Sequence, residues 1–279
     1  MSKAAKFLLI LSLLTPTWTT AFAPPIQLKI ESDWHGAEPK DVQAVLDSTT
    51  VAISPYIGGR TLDKVVVRNE EKGPISLYER SPNDEYIVLL DVKGRYWSQM
   101  AYQFSHEVCH LLTNYDLAPN NVSHQQWFEE SLCEAFSLFT LKELSAQWAS
   151  NPPYAHWKEY APEIQKYVDG MMKQKHRSFA PKLSSWYAEQ KSILEENPYA
   201  KDRELNEKMA SHLLQVFAKR PEYWAAINYL NLGDETDDKS FAKYIDDWYS
   251  HTPEPLRPPV AEIRELLLAV GNNTKNKEN

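Results

Sequence analysis

The sequence predicts an α+β fold, with a small mixed N-terminal sheet subdomain followed by a mostly helical remainder. Three observations carry this. The short β-branched or apolar runs that read as strands fall within residues 24–95. From Tyr96 onward, apolar residues recur at helical spacing. The chain has 18 prolines against 8 glycines, a balance that favours helices closed at X-Pro junctions over hairpin-rich sheet.

Residues 1–23 read as an export signal, with Lys3 and Lys6 as a positive start and Phe7 to Leu14 as an apolar run too short to span a bilayer. Ala21-Phe22-Ala23 resembles a small-x-small cleavage site; cleavage after Ala21 is the alternative, since Pro24 follows Ala23. An uncleaved anchor is the competing reading, disfavoured by length. Residues 24–95 form an α+β subdomain. Ile26 to Ile30 alternates as a half-buried strand does, and Asp41 to Ile53 has helical periodicity. Lys64–Arg68 and Tyr86–Leu90 are strand runs, with Ile75–Tyr78 as a further candidate between them. Residues 96–150 carry two helices joined by a polar connection from Asn114 to Gln126, broken at Pro119-Asn120-Asn121. Further helices are predicted over Ala161–Lys173, Leu183–Glu195, Asp202–Ala218, Glu222–Leu230, Ser240–Tyr249 and Val260–Val270, within a C-terminal region spanning 151–271. Trp186, Tyr187, Phe217, Tyr223, Trp224, Tyr229, Phe241 and Trp248 are read as core. Residues 272–279 are a polar tail, expected to be disordered.

Without Lys3 and Lys6 the chain has 28 basic and 38 acidic residues, a net charge of −10. That argues against nucleic acid or an anionic membrane surface as partner. After signal removal no stretch reaches the length of a membrane span, so an exported, periplasmic or secreted protein is expected. About 255 residues suffice for one large domain or two intimate subdomains.

The chemistry concentrates between Ser105 and Leu138. His106-Glu107-Val108-Cys109-His110 places two imidazoles one turn apart on a helix, where both reach a single metal ion. Glu107 lies about 100° round that helix, badly placed as a ligand but suited to act as a base. The pentapeptide is short enough to arise by chance, so its setting matters. Trp97, Met100, Phe104, Val108 and Leu111 form an apolar stripe, and the histidines border it. The stripe of the second helix reads Trp127, Glu130, Glu134, Leu138, Leu141, with two carboxylates on an otherwise apolar face. Buried carboxylates need a cation or hydrogen-bond donors. A Zn2+ ion and the ring N–H groups of its histidines supply both.

His-Glu-x-x-His followed by Trp127-Phe128-Glu129-Glu130-Ser131 resembles the gluzincin metallopeptidases, including the thermolysin-like and M1 aminopeptidase-like enzymes. Nineteen residues separate His110 from Glu130, and the tryptophan three places before the glutamate aligns. The resemblance covers about 40 residues and implies His106, His110 and Glu130 as metal ligands and Glu107 as general base. It further implies that Glu134 orients a zinc-bound histidine by a hydrogen bond. An edge strand above the metal, pairing with an extended peptide, is part of the same expectation, with the strand unidentified. The Gly-x-Met-Glu-Asn motif of the aminopeptidases is absent from the chain.

A hydrolase of this type needs a donor for the developing oxyanion, supplied in the family by a downstream Tyr or His. Tyr154, His156, Tyr160, His176, Tyr187, Tyr199 and His212 are the candidates. His35 and His124 are read as surface residues. Cys109 and Cys133 have three readings: buried small hydrophobes, a disulfide, or metal ligands, the last disfavoured because Cys109 points about 100° away from the histidines. The function predicted is an exported zinc-dependent metallopeptidase acting on peptide or protein substrates. The alternative is a catalytically inactive, zinc-stabilised peptide- or protein-binding module, with a chance pentapeptide in a metal-free domain as the third reading.

Overall fold

The computed structural model describes residues 26–31, 33–117, 125–180 and 182–268. The export signal, the C-terminal tail and His124 lie outside the described residues.

The fold is α+β. Strands β1 (Ile26–Ile30), β2 (Leu62–Asn69), β3 (Ile75–Ser76) and β4 (Tyr86–Leu90) form one sheet in the order β1-β2-β4-β3. β1, β2 and β4 are parallel, with Val66 opposite both Lys29 and Ile87, while β3 runs antiparallel to β4. Parallel neighbours require a crossover, which helix α1 (Pro39–Ile53) supplies between β1 and β2. Central β4 is buried at every position, as a strand covered on both faces should be, whereas edge strand β1 alternates.

Helices α2 (Trp97–Leu112) and α3 (Gln126–Ser150) follow, then α4 (Ala161–Met172), α5 (Leu183–Glu196), α6 (Glu204–Ala218), α7 (Phe241–His251) and α8 (Arg257–Leu268). The 25-residue α3 is buried round most of its circumference because α1, α2, α4 and α6 all pack on it. A continuous apolar core runs from Val65 and Val88 in the sheet through Phe104 and Phe136 to Ile263 in α8. All the aromatics read as core pack there, with Trp186, Tyr223 and Tyr229 only partly buried. No helix among the described residues is long and apolar enough to cross a membrane.

Helix bounds shift by up to three residues, as at the start of α8, and two of the changes have a local cause. The segment from Pro221 to Tyr229 is a 3-10 helix, not an α-helix. Trp224 to Asn228 are buried without a break, so packing on all sides sets the pitch in place of one apolar face. Gly58 (φ +60°) permits this approach, since a Cβ there would lie 2.9 Å from the Ala225 Cβ. α6 starts at Glu204 instead of Asp202, because Arg203 is left-handed with φ 72°.

Candidate metal centre

α2 and α3 pack antiparallel, and this pairing builds the site. His110 faces Glu129, His106 faces Glu130, and one turn further along α3 Tyr102 faces Glu134. α2 ends where Asn114 turns left-handed (φ 59°). The Asn114 amide then donates to the carbonyls of Asn228 (2.9 Å) and Leu230 (3.0 Å), tying the histidine helix to the C-terminal region.

The structure brings His106, His110 and Glu130 together. Nε2 of His110 is 3.3 Å from Nε2 of His106, which is 3.3 Å from Glu130 Oε2; His110 Nε2 and Glu130 Oε1 are 3.7 Å apart. Hydrogen bonds between such groups are shorter, about 2.7–3.2 Å. Ligands at about 2.0–2.1 Å from a tetrahedral zinc lie roughly 3.3–3.4 Å from one another. The spacing therefore fits a shared metal better than a set of direct hydrogen bonds.

The electrostatics agree with the distances. Burial alone would push the His110 imidazole down. The Glu130 charge, the hydrogen bond to Glu129 and the charges of Glu129 and Glu107 outweigh burial and lift it to about 10. Burial would raise Glu130, but the charge of His110, the close approach and charge of His106, and the charge of Arg203 bring it down to about 2. A buried pocket holding Glu107, Glu129 and Glu130 demands compensating positive charge.

Glu107 is buried beside this trio, and the hydroxyl of Ser76 on β3 donates to its Oε2 at 3.0 Å and to its carbonyl at 3.0 Å. β3 is thus the edge strand at the site. Tyr115 anchors the residue after it by donating to the Leu77 carbonyl, and the exposed Tyr78 ring packs on Tyr115 at 4.9 Å.

The placement of Glu134 corrects the expectation. Among the described residues no histidine bonds to it; it accepts from the buried Arg177 (2.6 Å) and from Tyr102. In antiparallel helices, one turn forward on α3 is one turn back on α2, from His106 to Tyr102. Glu129, displaced about 100° round the helix, turns toward His110 instead. Its Oε1 accepts from His110 Nδ1 at 2.7 Å and from the Thr113 hydroxyl at 3.0 Å; its Oε2 accepts from the Asn231 amide at 2.7 Å. Tyr244 on α7 in turn donates to Asn231 at 2.8 Å. Asn231 (φ 59°) and Thr113 were invisible in the sequence because nothing local marks their contacts.

Of the oxyanion-donor candidates, Tyr199 reaches the site: its hydroxyl donates to Glu130 Oε1 at 3.2 Å. Burial, then the Glu130 charge, hold its phenol above the usual tyrosine range, so it stays protonated. The others are engaged elsewhere. Tyr154 and His156 pack on Trp157, Tyr160 on Trp148, and Tyr187 on Trp127; His176 pairs with Glu207, and His212 accepts from the Ala180 N–H. His35 is exposed, as expected.

Cys109 and Cys133 are free and buried. Burial, then a hydrogen bond with Cys109, push the Cys133 thiol well up. Its sulfur, the His110 ring and Glu129 lie within 4.8 Å of one another, but Glu129 Oε1 is already held by His110 Nδ1 at 2.7 Å. A neutral thiol there packs as a small apolar group.

Compared with protein-family models, curated proteins and solved structures, the chain matches none.

Proposed function

We propose that the chain is an exported, periplasmic or secreted, zinc-dependent metallopeptidase that hydrolyses peptide bonds in peptide or protein substrates. The observation that carries this reading is the trio His106, His110 and Glu130, spaced at 3.3 to 3.7 Å beside the buried Glu107. Their resemblance to the gluzincin motif supports it.

His106, His110 and Glu130 would hold the metal. Zinc, when bound, supplies a Lewis acid that polarises the scissile carbonyl and acidifies water. Glu107 takes the proton from the attacking water and passes it to the leaving amine. Ser76 fixes that carboxylate by donating to one oxygen at 3.0 Å, leaving the other to accept the proton. Tyr199 supplies the O–H donor for the developing oxyanion by turning its one hydrogen from Glu130 to the substrate. Glu129 holds the His110 ring by Nδ1, which leaves Nε2 to face the metal. The outer edge of β3 pairs with an extended substrate, since β4 occupies only its inner edge.

Metal analysis of purified protein and a peptide-library cleavage assay test the proposal together. One zinc per chain and cleavage are expected. Glu107→Gln retains the metal while kcat falls at least about 100-fold. Folded protein without zinc would overturn the reading. Zinc without turnover on any peptide would leave the binding-module alternative.

A further inference from the structure

Beside the acidic site lies a cation, Arg203, that takes no part in the proposed mechanism. Arg203 closes the short 3-10 turn Ala200–Arg203 that leads into α6. Its guanidinium carbon lies 5.1 Å from the centroid of the Tyr199 ring. The hydroxyl at the far end of that ring donates to Glu130 at 3.2 Å and accepts from the Gln126 amide at 3.1 Å. A single phenol therefore separates the guanidinium from the metal-site carboxylate.

Arg203 is exposed and has no carboxylate within ion-pair distance among the described residues. The adjacent Glu204 is turned to His176, at 3.7 Å. Both Lys201 (φ 53°) and Arg203 (φ 72°) are left-handed, a conformation uncommon for residues other than glycine. A guanidinium presents a planar set of donors matched to a carboxylate, and stacking on an aromatic face leaves its N–H edge free to bind one.

We propose that Arg203 is a substrate-binding residue that receives a carboxylate of the peptide within about two residues of the bond cleaved. The inference rests on the metallopeptidase reading and specifies its substrate class as peptides bearing an anion near the scissile bond. That anion is either the free C-terminus or an Asp or Glu side chain. Tyr199 then serves two groups at once, its hydroxyl at the metal side and its ring face under the guanidinium.

The test uses the full chain loaded with zinc and carrying Glu107→Gln, so that binding is read without turnover. Three N-acetylated tripeptides of neutral side chains are titrated calorimetrically: a free acid, its C-terminal amide, and an amide with glutamate at the central position. The expected result is a 5- to 10-fold lower Kd for at least one carboxylate-bearing peptide than for the neutral amide, about the size of one charge-assisted pair. Preference for the free acid assigns the chain end as the ligand; preference for the glutamate peptide assigns an internal acidic residue. Arg203→Ala should bring the ratio to about one, Arg203→Lys should retain part of it, and added salt should shrink it. Equal binding of all three peptides, or a preference that survives Arg203→Ala, overturns the inference while leaving peptide hydrolysis by the wild-type chain intact. If no peptide is bound by this variant or cleaved by the wild-type chain, the metallopeptidase reading falls and this inference with it.

Discussion

Replacing Glu129 and Glu134 in turn separates a residue that would serve the proposed metal site from one that serves the fold. In Glu129→Ala the Thr113 hydroxyl keeps the His110 carbonyl at 2.9 Å, and the Asn231 amide keeps the Thr113 carbonyl at 3.1 Å. The Asn231 amide and the Thr113 hydroxyl each lose one of two acceptors, whereas the His110 ring loses its Nδ1 partner outright, the 2.7 Å bond to Glu129. The loss therefore falls on the orientation of a metal ligand, and zinc affinity should drop about 10–100-fold, or about 1.4–2.7 kcal/mol. Glu134→Ala acts differently. It leaves Arg177, whose side chain is 0% exposed, with only Glu207 at 3.1 Å and Gln174 at 2.9 Å, and leaves the Tyr102 hydroxyl without its acceptor. Breaking a buried ion pair from one side costs about 3 kcal/mol of stability, while zinc affinity of the folded variant should stay within about threefold, because no bond from Glu134 reaches a ligand. Glu130→Ala, which removes a ligand, should nearly abolish zinc retention. Zinc Kd is measured by competition with a chelator, and stability by urea denaturation of the metal-free variants. If Glu134→Ala, shown to be folded, weakens zinc more than Glu129→Ala does, the assignment of the two glutamates is wrong.

Two further predictions follow from the same geometry. Tyr199→Phe should lower kcat about 100-fold or more, the typical loss of one oxyanion donor, with KM and zinc content little changed; a kcat within threefold of wild type would reduce Tyr199 to a packing role beside Glu130. His212 lies against Phe179, and burial, then the Lys208 charge, depress its pKa from 6.5 to about 4. Because the folded value is the lower one, its contribution to stability is complete above pH 6.5 and is lost as the pH falls toward 4. The loss is about 2 kcal/mol once partial exposure is allowed for, so urea midpoints of His212→Gln should fall less over this window than those of wild type, and parallel curves would refute the assignment.

Local periodicity was legible in the residues. Ile26–Ile30 and Tyr86–Leu90 occur as strands with the predicted bounds, and Trp97, Met100, Phe104, Val108 and Leu111 are buried along α2. The spacing of His106 and His110, and the phase of Glu130 on its own helix, follow from about 3.6 residues per turn and needed no tertiary information. What each side chain faces did not follow. Glu134 has the right phase, yet antiparallel packing puts Tyr102 and Arg177 opposite it and gives His110 to Glu129. Ser76, Tyr199 and Asn231 reach the site from positions 31, 69 and 102 residues away from the groups they contact. Helix phase is set by the backbone within a few residues. The partner across an interface is set by the direction and register in which whole elements dock, and that depends on the burial of the entire core.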